Sequence, residues 1–288
     1  MNIFFAERVD KMKIGFIDYF LDEAHANGFP SQIKDATNGE LEVAYAYAKI
    51  DSPRGGLTTD EWCAKYNIPR INSIEELVEK SDAILVLSPD NPEFHEELCD
   101  LPLKSGKRVY VDKTFADSKE IAEKLFALAD RHGTPMCSAS SLRFADEYTA
   151  LDRSQIDNIA SRGPGDIKVY SVHQVEPVVS LMGTDVKRVM YTGTGKWLAY
   201  VLEYADGRRA SISHHGWGCP FGMTVDFKDG SNKTFNIESA FGANCLADMI
   251  NFFRTGEITI PREETIATMA VIEAVRKAQQ NPDTWVIL

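Results

Sequence analysis

A chain of 288 residues with 44% hydrophobic and 26% charged side chains has globular rather than disordered composition and is long enough for two domains of ordinary size. Its 43 acidic and 31 basic residues leave a net charge of −12, which repels nucleic acid and anionic membrane surfaces, so neither is expected as a partner. No apolar run approaches the roughly 20 residues that a bilayer span requires, and five widely spaced cysteines without a Cys-x-x-Cys pair read as reduced thiols of a cytoplasmic protein.

Residues 1–11 contain no apolar stretch followed by a small-residue cleavage site, so no secretory signal is expected; Met12-Lys13-Ile14 also reads as a start, which would make those residues an extension. Lys13 to Ile17 is a short apolar run, the pattern of a buried parallel strand. A helix-compatible segment covers Asp22 to Ala36, and the β-rich run Leu41 to Ile50 follows the turn Asn38-Gly39. Thr58-Thr59-Asp60-Glu61 opens a helix as a capping box, Asn67-Ile68-Pro69 closes it, and Ser73-Ile74-Glu75-Glu76 starts another. Ala83 to Leu87 is the clearest strand, Asn91 to Asp100 is helical, Arg108 to Val111 is a strand, and Ser118 to His132 is an amphipathic helix running to Gly133-Thr134-Pro135. Such alternation predicts a parallel sheet.

Beyond about residue 145 the pattern changes. Ile167 to His173, Val186 to Tyr191, Trp197 to Tyr204, Arg209 to His215 and Met223 to Lys228 read as successive strands, with Asp206-Gly207 and Asp229-Gly230 as hairpin turns. Ala240 to Arg254 and Glu263 to Gln280 read as closing helices. The expected architecture is therefore α/β: a Rossmann-type parallel-sheet domain over 1–145, then an α+β domain with a mostly antiparallel open sheet over 146–288.

Five pieces in order carry a resemblance: Asp82 to His95, with Ser88-Pro89-Asp90-Asn91 as the turn after a strand; Gly106-Lys107-Arg108-Val109-Tyr110-Val111-Asp112-Lys113; Arg143-Phe144; His173-Gln174-Val175-Glu176 with Leu181-Met182-Gly183; and Pro261-Arg262-Glu263-Glu264 through Val271-Ile272-Glu273-Ala274. Together they resemble the Gfo/Idh/MocA oxidoreductases. The resemblance implies oxidation or reduction of a sugar or polyol derivative with NAD or NADP, and a homo-oligomer formed through the open second sheet. It further implies that Lys113 holds the substrate and tunes the acid–base chemistry, and that His173 moves the proton. An ammonium beside a developing alkoxide stabilises it, and an imidazole titrates near neutrality. Asp112 stands for the family's Glu and Thr114 for its Pro. Asp18, Tyr19, Phe20, Ser88, Pro89, Asn91, His95 and Asp112 fall at cofactor-facing positions, and Arg143 and Glu176 join Lys113 at the substrate.

Several positions depart from the family pattern. Val169 replaces the Asp that often precedes the His by four residues. A dinucleotide site needs glycines after the first strand, so that backbone can approach the pyrophosphate at a helix N-terminus. Here the turn reads Asp18-Tyr19-Phe20-Leu21-Asp22-Glu23-Ala24-His25, with two bulky rings and three carboxylates, and it is one residue shorter. Asp51 and Arg54 are the available ribose or phosphate partners at the end of the second strand. The alternative is a non-redox descendant, a lyase or isomerase on a keto-sugar or a ligand-binding regulator. His214-His215 would point to opposite faces of a strand, so no metal site is expected. The Gly216 to Gly222 loop with Trp217 and Phe221 would either stack on a sugar or cover a sheet face.

Overall fold

The computed structural model describes residues 11–288; the reading of residues 1–11 as an extension lies, apart from Lys11, outside them. The first sheet is formed by β1 (Met12–Asp18), β2 (Leu41–Ala48), β3 (Ala83–Val86), β4 (Arg108–Val111) and β5 (Met136–Cys137) in the order β2-β1-β3-β4-β5, all parallel. Crossovers run through α1 (Ala24–Ala36), α2 (Thr59–Tyr66), α3 (Ile74–Lys80), α4 (His95–Leu103) and α5 (Lys119–His132). Their starts follow the capping signals: Thr58 and Glu61 form a reciprocal capping box, and Ser73 and Ser118 each accept an N–H at the third helical position. Strand alternation sends Ala83 and Leu85 to one face and Ile84 and Val86 to the other, each into its own apolar cluster.

After α6 (Asp146–Thr149), a second sheet takes the order β11-β10-β6-β9-β8-β7-β12, with β6 (Ile156–Pro164), β7 (Val186–Tyr191), β8 (Leu198–Tyr204), β9 (Arg209–His215), β10 (Gly222–Phe227), β11 (Asn232–Asn236) and β12 (Trp285–Ile287). β6 and β9 run parallel and the other neighbouring pairs antiparallel. Gly207 and Gly230 turn the two hairpins at φ +91° and +84°, conformations that suit glycine. α7 (Ile167–Met182) and α9 (Arg262–Ala278) cover one face, while residues such as Ala160, Ser211 and His215 leave the other open.

Two differences from the sequence reading bear on the site. Ile167 to His173 is the start of helix α7, not a strand; the strand at this point is the preceding β6. A mostly buried helix loses the polar stripe that reveals a 3.6-residue period, and the Val-rich run Val169 to Val179 then imitates a strand. Second, α8 (Phe241–Thr255) returns to the first sheet, where Met249, Ile250, Phe252 and Phe253 join the cluster of Leu85, Tyr110 and Cys137. Phe252 and Phe253 are fully buried, each worth about 1.5–3 kcal/mol of transfer free energy. The face of the parallel sheet beyond α1 is thus covered from the other end of the sequence.

Candidate active site

At the carboxyl edge of the parallel sheet, α1 and α8 leave a cavity of about 450 Å³ between them. Its polar lining includes His25, Asp112, Lys113 and Ser141, and its apolar lining includes Phe29 and Met249. Ligands of open α/β sheets bind at this edge. β4 delivers Asp112 and Lys113 to it: the Asp112 N–H donates to Val86 O at 2.8 Å, extending the β3–β4 ladder past the last strand residue.

Lys113 is only 6% exposed. Its ammonium donates to Pro89 O at 3.3 Å and lies 3.9 Å from Asp90 Oδ1, so the turn after β3 holds it. The Lys113–Thr114 peptide is cis. His25 Nδ1 is hydrogen-bonded to Asp112 Oδ2. Burial opposes the imidazolium, but the Asp112 charge and this bond hold the His25 pKa above its ordinary 6.5. Burial likewise works against the Asp112 carboxylate, and His25 and Lys113 more than offset it, leaving its pKa below 3.8. A cation, an anion and a titratable ring therefore face one cavity.

The expected cofactor residues have other occupations. Asp18 is 1% exposed, and neither of its carboxylate oxygens meets a hydrogen-bonding partner among the described residues. Burial, then the Glu23 charge, raises its pKa well above 3.8. Glu23 caps α1, accepting from His25 N at 2.7 Å and from Ala26 N; burial pushes its pKa up to about 7, against the pull of His25 and these N–H groups. Tyr19 stacks on Phe94 with ring centroids 3.8 Å apart and planes 10° from parallel, and Phe20 is buried beneath the Arg54 guanidinium. Ser88 has φ +76° and donates to Asn91 O at 3.0 Å, closing the Ser88–Asn91 turn upon itself. His95 is fully buried between Phe115 O and Leu87 O, a tie between the ends of two strands. Asp51 accepts from Thr59 N at 2.8 Å, and Arg54 pairs with Asp90 at 2.7 Å.

The expected substrate residues form a separate cluster. Arg143 bridges Glu176 at 3.4 Å and Glu264 at 2.6 Å, an ion-pair tie to α7 and α9. Glu176 is buried rather than solvated and also accepts from Ser140 N at 2.8 Å. Burial raises its pKa to about 7 despite Arg143. His173, three residues earlier on α7, meets Ser140 Oγ through Nδ1 at 2.7 Å. Burial, then the charge of Lys113, pushes its pKa down to about 3, so the ring is neutral at pH 7. His214 is buried among Ser171, Gln174 and Tyr200 while His215 is exposed, opposite faces as expected of neighbours on a strand. Trp217 is 67% exposed and meets Tyr170 edge-on at 4.7 Å, while Phe221 of the same loop packs against the core beside Gly163 of β6. The sequence reading noted His25 and Glu23 but gave neither a place in the site, and it missed Phe29 and Met249, whose side chains carry no chemical signal.

A family model described as an oxidoreductase family with an NAD-binding Rossmann fold, Gfo/Idh/MocA, matches residues 38–140. Solved structures of the same two-domain fold cover nearly the whole chain. The scyllo-inositol dehydrogenase of Lactobacillus casei superposes with a TM-score of 0.75 at 14% identity, over 96% of this chain and 98% of that one. The match to this family is thus confined to residues 38–140. The WlbA dehydrogenase of Bordetella pertussis, solved with NADH and UDP-GlcNAcA, gives a TM-score of 0.75 at 12% identity over 96% and 99% of the two chains. At such identities the likeness speaks for the fold. YceM of Salmonella typhimurium is 25% identical over 169 residues, which is 53% of this chain and 51% of that protein, so the match spans about half the length of this curated relative. The family match begins after α1 and thus does not include the turn that carries Asp18 and Glu23.

Proposed function

We propose that this chain is a carbohydrate-directed enzyme of the Gfo/Idh/MocA type whose acid–base chemistry takes place in the cavity between α1 and α8. The observation that carries this reading is the convergence of Lys113 and the His25–Asp112 pair on one cavity of about 450 Å³, a size within the range of small-molecule sites. Lys113 stabilises negative charge growing on a substrate oxygen. His25, held by Asp112, has a pKa raised above 6.5 and exchanges the proton near neutral pH. His173 lies outside this cavity lining, and a pKa of about 3 suits it poorly to proton uptake at pH 7.

Two reactions share this machinery. In the family-type reaction the oxygen belongs to a carbinol, and NAD or NADP takes the hydride; the match to an NAD-binding family favours it. In a redox-neutral reaction His25 takes a proton from the carbon next to a carbonyl. The C–H electron pair becomes the enolate C=C bond and the carbonyl oxygen bears the charge beside Lys113. Delivery of the proton to the former carbonyl carbon, with the neighbouring hydroxyl proton passing to the charged oxygen, completes an isomerisation with no electrons lost. The turn residues Asp18 to Glu23 do not fit a dinucleotide laid across the end of β1, and this misfit favours the redox-neutral reaction. The test is proton NMR in D₂O on a panel of keto-sugars, with absorbance at 340 nm followed in parallel in the presence of NAD and NADP. Solvent exchange at a single substrate carbon, abolished by Lys113→Ala, is the expected result. Activity that survives Lys113→Ala unchanged would remove the site from this cavity.

A further inference from the structure

We propose that the end of β1 is occupied by the chain's own carboxylates in place of a cofactor pyrophosphate, and that the chemistry at Lys113 proceeds without a bound nicotinamide dinucleotide. The second half of this proposal rests on the cavity being the active site; the first half stands without it.

A helix N-terminus attracts a phosphate because its first N–H groups lack partners within the helix and point outward. On α1 two of these donors are already engaged: His25 N reaches Glu23 Oε2 at 2.7 Å, and Ala26 N is bonded to Glu23 Oε1. The capping carboxylate also complements the positive end of the helix dipole, so the charge a pyrophosphate would bring is supplied from within. A dinucleotide here would have to displace a side chain anchored one residue before the helix it caps.

The approach is closed as well. Asp18, the last residue of β1, stands where the first glycine of a dinucleotide turn would be, and its carboxyl is buried with no hydrogen-bonding partner among the described residues. Glu23 and Asp112 are its charged neighbours, so a pyrophosphate here would bring further negative charge into a buried carboxyl cluster of low dielectric, where like charges repel strongly. Tyr19 lies flat against Phe94 and Phe20 is buried, which fills the surface along which the phosphates would run. Further along the edge, both groups able to hold an adenosine ribose are committed, Asp51 to the N-terminus of α2 and Arg54 to Asp90. Four independent features thus exclude the same ligand, and none of them disturbs the cavity that Lys113 and His25 face.

Equilibrium binding of the full chain to NADH, NADPH and ADP-ribose tests this directly, with ADP-ribose reporting the pyrophosphate subsite without the nicotinamide. No saturable binding at millimolar concentration of any of the three is expected; a saturable isotherm with any one overturns the proposal. Amide hydrogen exchange gives a second measurement that needs no ligand. In Glu23→Ala the His25 and Ala26 amides should exchange at least tenfold faster than in the wild type, while amides in the middle of α1 keep their protection. Unchanged protection at His25 and Ala26 would show that Glu23 does not fill the terminus, and would also overturn the proposal. Lys113→Ala, which tests the active site, should alter neither measurement, so failure of one conclusion is distinguishable from failure of the other.

Discussion

Replacement of Glu176 by Gln should flatten the dependence of stability on pH, and the size of the effect follows from the surroundings of this carboxyl. Glu176 is buried and shares Arg143 with Glu264, so two carboxyls compete for one guanidinium. Burial raises the Glu176 pKa from 4.5 to about 7. Between these values the folded chain binds the proton more tightly than the unfolded chain does, so stability must fall as pH rises through the window. From 4.5 to about 7 is about 2.5 pH units, at about 1.36 kcal/mol each, or about 3 kcal/mol of stability present at low pH and lost above pH 7. Gln cannot ionise, yet its carbonyl can still accept from Ser140 N. Urea unfolding of wild type and Glu176→Gln at pH 5 and pH 8 isolates this contribution, because Asp18, Glu23 and the other carboxyls titrate in both proteins and cancel. The wild type should lose about 2.5 kcal/mol more than the variant between pH 5 and pH 8, since pH 5 already lies about half a unit inside the window. Equal losses would refute the reasoning, and a smaller loss in the wild type would mean that Arg143 outweighs burial.

Two other substitutions address the proton carrier and the docking of α8. His25→Gln should lower kcat/KM by about 10²-fold or more and remove the limb of the pH–rate profile that lies above pH 6.5, with KM little changed; a profile identical to wild type would exclude His25 as the proton carrier. Phe252→Ala should cost about 3–5 kcal/mol in chemical denaturation, since the ring is fully buried against Tyr110 and Phe253. A loss near zero would mean that α8 does not close this face of the sheet.

The parallel sheet was legible because its elements announce themselves locally. Ala83 to Leu87 is too short and apolar for anything but a buried strand, and Thr58, Ser73 and Ser118 start helices through bonds made within three residues. What escaped was whatever depended on distant partners. α7 lost its helical signature because most of its surface is buried, and the cavity wall escaped because Phe29 and Met249 lie more than 200 residues apart in sequence. Arg143 shows the limit most plainly: its chemistry suits a ligand and an ion pair equally, and only the placement of Glu176 and Glu264 on two helices of the second domain decides between them. Asp18 and Glu23 were visible as negative charges near a presumed phosphate site, but the cap that Glu23 makes depends on where its side chain turns.

That cap links the closed turn to the open cavity. In a turn that serves a dinucleotide, the start of the first helix is ordered around the ligand's phosphates. Here Glu23 fixes the start of α1 from inside the chain, and the two N–H groups it holds belong to His25 and Ala26. The backbone at His25 is thereby set, and its ring reaches Asp112 at the end of β4, beside Lys113. The same carboxylate that takes the pyrophosphate's place therefore positions the imidazole that moves the proton. If so, loss of the cap should harm catalysis through geometry: Glu23→Ala should lower kcat more than it raises KM, and Glu23→Asp, a strong N-cap residue with a shorter reach, should recover part of the loss. A variant that kept full kcat without the cap would separate the two features and leave the closed turn with no part in the chemistry.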